Sequence, residues 1–391
     1  MKIRKIFINL IVLGLAGAFT ADAQEAGINI GILQLYPTFG AALGYDDNLA
    51  LSQSNAISSR YRLLEPGIRA DLNNKNHRLR AQYRISDASF SDSPRDDFTD
   101  QFLDLSWRYT PTVRSDLQLS ARWHEAHDRR GEGLRENFVN TLDRDVDEYR
   151  DTGLGLRYTH GAPGARGRLA LFAETSDKRY ENNRDFTAAG DYDSLRLGGE
   201  FGWRMGARTT AILQASQTDI NYDLSNRDAE QRQLAVGLLW DGAPRTDARV
   251  LIGRLTRSPD SADQPDFSGA FWEAVVNWRP VERTAFSLLT NRSTDEAFGN
   301  ASFLVREKTA LGWRHQWLGR LSSAFDVAYT QEDLRPGGRQ DDIVQYGVSL
   351  DYTFRRWLLL GVGLRHVERD SNNRIFDYRR NEILLSAQLS L

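Results

Sequence analysis

The side chains best able to do chemistry in this 391-residue sequence are arginines and carboxylates that recur on one parity of alternating stretches. Leu64-Glu65-Pro66-Gly67-Ile68-Arg69-Ala70-Asp71-Leu72 carries Arg69 and Asp71 two residues apart, and the stretch from Arg78 to Ile85 carries Arg80 and Arg84. Asp104, Arg108, Arg122, Arg157, Arg196 and Arg204 hold the same parity in later stretches. A spacing of two puts such groups on one face of a β-strand. Mixed guanidinium and carboxylate rows bind hydroxyls, carboxylates and phosphates through charge-assisted hydrogen bonds. The same rows can instead pair across neighbouring strands and stiffen a wall. Both readings stand at this level.

Other chemistries find little support. There is no Cys, which excludes disulfides, thiolate metal sites and a Cys nucleophile. Of the six His, only His124-Glu125-Ala126-His127-Asp128 forms a cluster. It lacks the HExxH spacing, and residues three apart on a strand point to opposite faces. No nucleophile elbow and no phosphate-loop glycine pattern occur. The expectation is no catalytic residue, no metal, no cofactor and no enzyme activity. A pI near 6.1 gives no support to nucleic acid as a partner.

The elements that must hold these rows are strands. Period-2 alternation runs from about Tyr36 to the last residue, as in Leu117–His124, Leu195–Arg204 and Tyr346–Arg355. One face of each strand is apolar and has to be dry. Aromatic residues recur at one end of alternate strands, often before Arg: Trp107-Arg108, Trp203-Arg204, Trp278-Arg279 and Trp313-Arg314, with Tyr158, Trp240 and Tyr352 in equivalent places. Such a row suits a membrane-interface girdle. Connections alternate between short turns, such as Thr110-Pro111-Thr112 and Met205-Gly206, and longer polar stretches, such as 46–60, 125–147 and 331–341. Outer-membrane barrels sort their connections this way, short in the periplasm and long outside, whereas a soluble sandwich has no reason to. The fold class predicted is an all-β transmembrane antiparallel barrel over 36–391. It has about 18 strands, with 16 the alternative, and both termini lie in the periplasm.

The N-terminus reads as an address. Met1-Lys2-Ile3-Arg4-Lys5 is basic, Ile6 to Phe19 is apolar, and Ala21-Asp22-Ala23 offers a signal-peptidase site. Residues 1–23 are therefore expected to be a signal peptide, and 24–35 a short periplasmic lead-in. Cleavage would take the net charge from -3 to about -5. The expected location is the bacterial outer membrane, with its lipid as the first partner. A mean hydropathy of -0.53 excludes a helical membrane bundle, which needs several apolar runs of about 20 residues.

The first strand and its loop read Tyr36-Pro37-Thr38-Phe39-Gly40-Ala41-Ala42-Leu43-Gly44-Tyr45-Asp46-Asp47-Asn48-Leu49, and the next strand has Pro66 inside it. This Tyr45-Asp46-Asp47-Asn48 motif resembles the outer-membrane β-barrel proteins encoded with bacterial exopolysaccharide and capsule export systems. The resemblance implies a conduit for a secreted polysaccharide, working with a periplasmic polysaccharide-export protein. Arg69, Asp71, Arg80, Arg84, Asp104, Arg108, Arg122, Arg157, Arg196 and Arg204 would then be candidate polymer contacts, and the Arg-dense stretch from Leu64 to Arg122 would offer a basic strip to an anionic polymer. By residue chemistry alone, Asp46, Asp47 and Asn48 are turn formers that would end a strand anywhere. The alternative function is a general diffusion porin or a structural barrel of the outer membrane.

Overall fold

The computed structural model describes residues 27–137, 144–243, 245–297 and 301–390. The expected signal peptide lies outside the described residues. The chain is an antiparallel all-β barrel of eighteen strands. They are β2 (Leu33–Asp46), β3 (Ser59–Asn73), β4 (His77–Phe90), β5 (Phe98–Thr112), β6 (Ser115–Asp128), β7 (Asp147–His160), β8 (Gly167–Tyr180), β9 (Tyr192–Arg204), β10 (Thr209–Tyr222), β11 (Ala229–Ala243), β12 (Thr246–Pro259), β13 (Phe267–Val281), β14 (Thr284–Glu296), β15 (Phe303–Leu318), β16 (Leu321–Arg335), β17 (Arg339–Arg355), β18 (Leu358–Ser371) and β19 (Tyr378–Ser390). Each pairs with its sequence neighbour, and β19 returns to β2 from Glu382↔Asp46 to Ser390↔Thr38. Closure leaves the barrel without a free edge strand, as a bilayer requires.

A three-residue strand, β1 (Ile28–Ile30), precedes the barrel and pairs with Leu33–Leu35. The β19 ladder stops at Thr38, while β3 covers the other edge of β2 down to Leu33↔Leu72. So β1 occupies the edge that β19 leaves free and takes up backbone groups that would otherwise lack partners. The barrel thus begins three residues before Tyr36. The stretch expected to be a plain lead-in already forms part of the ladder.

Alternation puts apolar side chains outward. Leu43, Leu119, Leu154, Leu156, Leu197, Leu350 and Leu364 are all exposed on the outer face, where lipid would cover them. At the short-turn end Trp203, Trp240, Trp278, Tyr158 and Tyr352 also point outward. His77 stacks on Tyr109 at 4.5 Å and lies 5.8 Å from Trp107, and Trp313 carries His315 at 5.9 Å. The expected girdle is therefore present, with histidines in it. The connection expected near 331–341 is not a long loop. β16 and β17 run on as a hairpin and turn over three residues. Gly337 and Gly338 have φ of +144° and +67°, which a side chain would resist. Alternating polar residues continue a strand beyond the bilayer as readily as they form a loop.

The ladder between β13 and β14 opens at the long-loop end. Its last pair there is Trp272↔Arg292, so Phe267–Phe271 have no partner on β14. Above that point β14 and β15 turn inward. Thr294 and Glu296, which alternation would aim at lipid, bond instead to Gln231, Arg257 and Tyr222 on β10–β12.

Candidate functional site

All ten charged candidates from the sequence face the lumen, because each shares the inward parity of its strand. Arg80 donates to Asp71 at 2.7 and 3.0 Å, and Arg69 lies 3.5 Å from the same carboxylate while its guanidinium covers the Tyr36 ring at 4.2 Å. Arg84 pairs with Glu65 at 2.9 Å and covers Phe102 at 4.3 Å. Arg108 reaches Asp116 at 2.5 Å. Arg122 grips Asp151 with two nitrogens at 3.1 and 3.0 Å and also donates to Ser176 at 2.6 Å. Arg157 meets Glu200 at 3.1 Å, Arg196 meets Glu174 at 3.4 Å, and Asp104 lies 3.1 Å from His124. Arg204 differs: it donates to the carbonyls of Gly206 and Ala207 and ties down a short turn. The seven other arginines therefore each carry a carboxylate. Arg69 and Arg80 share the one carboxylate of Asp71, and pairing with a nearby carboxylate, mostly across strands, is the arrangement that these rows adopt.

Arg80, Asp104, Arg122 and Arg196 come together around one basin of about 550 Å³ on the wall from β4 to β10. Between them lie small or hydroxyl-bearing residues: Ser106, Ser120, Gly153, Gly155, Ser176, Ser194 and Thr218. The hollow exists because inward positions here are short. A Cβ at Gly153 would stand 2.6 Å from Arg122, and one at Gly155 would stand 2.5 Å from Ser120. Water reaches the basin charges: the Glu174 carboxylate is 53% exposed and Arg122 is 39% exposed. Arg69, Asp71, Arg84, Arg108, Arg157 and Arg204 lie elsewhere on the wall. Nothing in the sequence shows which arginines share a hollow, because that depends on strand stagger around the barrel.

The Tyr45–Asn48 motif sits at the long-loop end of the β2–β19 seam. Asp46 is buried and ion-paired to Arg380 at 2.6 Å. Asp47 accepts from the Asn381 backbone and side-chain amides at 2.6 and 2.7 Å. Asn48 donates to the carbonyls of Arg379 and Ser52. Tyr45 points outward. Three of the four motif residues thus clasp the first strand to the last. Two acidic side chains and an amide suit this place because β19 offers a buried guanidinium, two amide donors and a free carbonyl.

Loop segments cover the mouth. The segment after β6 crosses to the far wall, where Glu136 receives Arg339 at 3.0 and 3.1 Å and ion-pairs with Arg369. Arg130 of the same segment is buried against Ser93 and Asp96. Outside the spans, the Arg144 guanidinium bonds Asp185 and holds that exposed carboxyl below its ordinary range. His127 pairs with Asp100 at 2.8 Å while His124 faces Asp104, so the two histidines of the sequence cluster serve separate carboxylates.

Sequence reasoning missed the adjoining wall, β10–β13. There Ile212, Ala235, Leu251 and Leu255 point inward and pack with Phe267, Phe271, Phe303 and Val305. The infolded end of β14–β15 supplies Phe303 and Val305. Arg257, 1% exposed, pairs with Glu296 of that hairpin at 2.6 Å and lies 5.1 Å over the Phe303 ring. A signal was present: Val250-Leu251-Ile252 and Phe303-Leu304-Val305 are apolar on both parities, as strands covered on both faces are.

Solved structures align with most of this chain. Pseudomonas aeruginosa OccK2 (OpdF) aligns at 13% identity with a TM-score of 0.50, covering 91% of this chain and 98% of that one. Acinetobacter baumannii OccAB3 aligns at 10% identity and TM-score 0.49, covering 93% and 100%. The FrpB iron transporter from Neisseria meningitidis aligns at 11% identity and TM-score 0.47, covering 88% of this chain and 62% of its own. No curated protein matches. At such identities the likeness is one of fold. Residues 21–391 match the family model described as "Putative beta-barrel porin 2", and the chain belongs to that family of outer-membrane barrels.

Proposed function

We propose that this protein is a diffusion channel that carries small hydrophilic solutes along the β4–β10 wall of its lumen. The basin carries the reading: a wet hollow of about 550 Å³ with hydroxyls and paired charges on its floor. Conduction needs binding weak enough to release. Guanidiniums already engaged by carboxylates can exchange hydrogen bonds with a passing solute without holding it. Because each basin Arg has an acidic neighbour, weak ion selectivity is expected. The test is reconstitution in planar bilayers and liposomes. Steady conductance with swelling in small sugars supports the reading; a protein that inserts without conducting overturns it.

A second reading, export of a secreted polysaccharide with a periplasmic export protein, is favoured by the Tyr45-Asp46-Asp47-Asn48 motif. That motif has a sufficient structural task at the seam, so the channel reading is preferred. Deleting the gene distinguishes them: loss of extracellular polysaccharide with intact synthesis would favour export. In both readings residues 1–23 are removed after Ala23, which the mass of the mature N-terminal peptide would test.

A further inference from the structure

The outward face at the long-loop end carries several arginines, and most have a carboxylate of their own. Arg232 holds Glu230 at 2.5 Å, Arg379 holds Glu368 at 2.6 Å, Arg150 holds Glu181 at 2.7 Å and Arg179 holds Asp177 at 3.1 Å. Among the described residues Arg254 on β12 bonds only Ser268, at 2.7 Å, and Arg60 and Arg62 on β3 are two such arginines side by side. Both are exposed, and neither forms an ion pair with a carboxylate among the described residues. Arg62 donates through Nε to Ser89 at 3.2 Å, which leaves its two terminal nitrogens for another acceptor.

Their position says what that acceptor meets. Going down the outward parity of β3, the residues after Arg62 are Leu64, Pro66, Ile68, Ala70 and Leu72. On β2 the neighbours across the ladder are Tyr45, opposite Arg60, and Leu43, opposite Arg62. Leu43 is 65% exposed, so it belongs to the lipid-facing band. Arg62 is level with Leu43 and Arg60 with Tyr45, so the two guanidiniums stand at the upper edge of that band, at headgroup depth in the outer leaflet. The Tyr45 ring beside them is of the type that settles at this interface. Residues two apart on one face of a strand lie roughly 6.5 Å apart, a span that one phosphate group can bridge. Asp87 on the same face of β4 accepts from Thr99 at 2.9 Å and makes no ion pair with Arg62, so two fixed positive charges at headgroup depth remain to be met by an anion held in the membrane.

We propose that Arg60 and Arg62 form a binding site for the phosphate of an outer-leaflet glycolipid headgroup, with Tyr45 packed against its sugar or acyl region. The site is on the membrane face of the barrel, apart from the lumen, so it does not depend on the channel reading.

The experiment measures binding of diphosphorylated lipid A to the full-length mature barrel in detergent, with chemically dephosphorylated lipid A and phosphatidylglycerol as comparison lipids. The double variant Arg60→Gln/Arg62→Gln is expected to bind diphosphorylated lipid A about thirtyfold more weakly. The Arg60→Lys/Arg62→Lys variant should fall between the two, because the charge remains and the planar fork is lost. Arg232→Gln, whose native side chain is engaged by Glu230, should bind as the wild type does. For the wild type, removing the lipid phosphates should cost as much as removing the arginines. Heat-modifiable migration of each variant checks that the barrel is formed. Undiminished binding by the folded double variant, or equal binding of dephosphorylated lipid, overturns the site. Equal affinity for phosphatidylglycerol overturns the choice of glycolipid.

Discussion

The two walls of this barrel obey the same alternation and put it to opposite uses. On the β4–β10 wall the inward positions are Arg, carboxylate, Ser and Gly, and they remain wet around a basin. On the β10–β13 wall the inward-facing Ile212, Ala235, Leu251 and Leu255 are buried in one apolar cluster with Phe303 and Val305. The difference teaches that inward does not mean solvated. A strand residue faces either the lumen water or a piece of protein folded into the lumen, and the chemistry of the side chain follows its cover. The infolded hairpin is held both by apolar packing and by the Arg257–Glu296 pair. The wet wall is held by pairs that water reaches and weakens.

The largest effect should come from breaking the dry wall. Glu296→Ala would leave Arg257 buried without its carboxylate, at a cost of about 3–5 kcal/mol. A markedly lower midpoint of heat-modified unfolding is expected, with larger single-channel conductance as the hairpin loosens. If Glu296→Ala unfolds no earlier than Glu307→Ala, whose partner Arg292 lies 2.7 Å away on the outward parity, the dry wall is not special. Next comes the lipid face behind the wet wall. Leu197→Arg places a charge in hydrocarbon and should cost about 2–4 kcal/mol, while Arg196→Gln one residue away should be near neutral. Equal tolerance of the two in the folded membrane protein would mean that the inside and outside of β9 have been exchanged. The smallest effect on stability belongs to the basin. Arg122→Gln removes a pair that is substantially exposed and should cost no more than about 1 kcal/mol. Its signature is functional: a change in ion selectivity and solute permeation without a change in unfolding midpoint. A large stability loss with unaltered permeation would make Arg122 part of the scaffold.

Much of the molecule follows from local chemistry. Period-2 alternation, the aromatic row and the turn residues determine strands, sidedness and strand count. Each is a nearest-neighbour property of the chain, and a one-residue slip would turn every side chain to the wrong face. Arg69, Asp71, Arg80, Arg84 and the rest face inward for the same reason. Where they gather was decided elsewhere. Arg122 meets Asp151 and Ser176 because β6, β7 and β8 are staggered by a particular register, and the basin appears where that register stacks glycine and serine on adjacent strands. Asp46 and Asn48 look like ordinary strand-ending residues until β19, more than three hundred residues later, presents Arg380 and the Arg379 carbonyl to them. The infolded hairpin needed the β13–β14 ladder to open and a dry partner face to receive it. Alternation determined by itself what each strand shows to its two sides. Only closure of the barrel decided what stands opposite, because contacts across a lumen depend on stagger and on loops that no local pattern records.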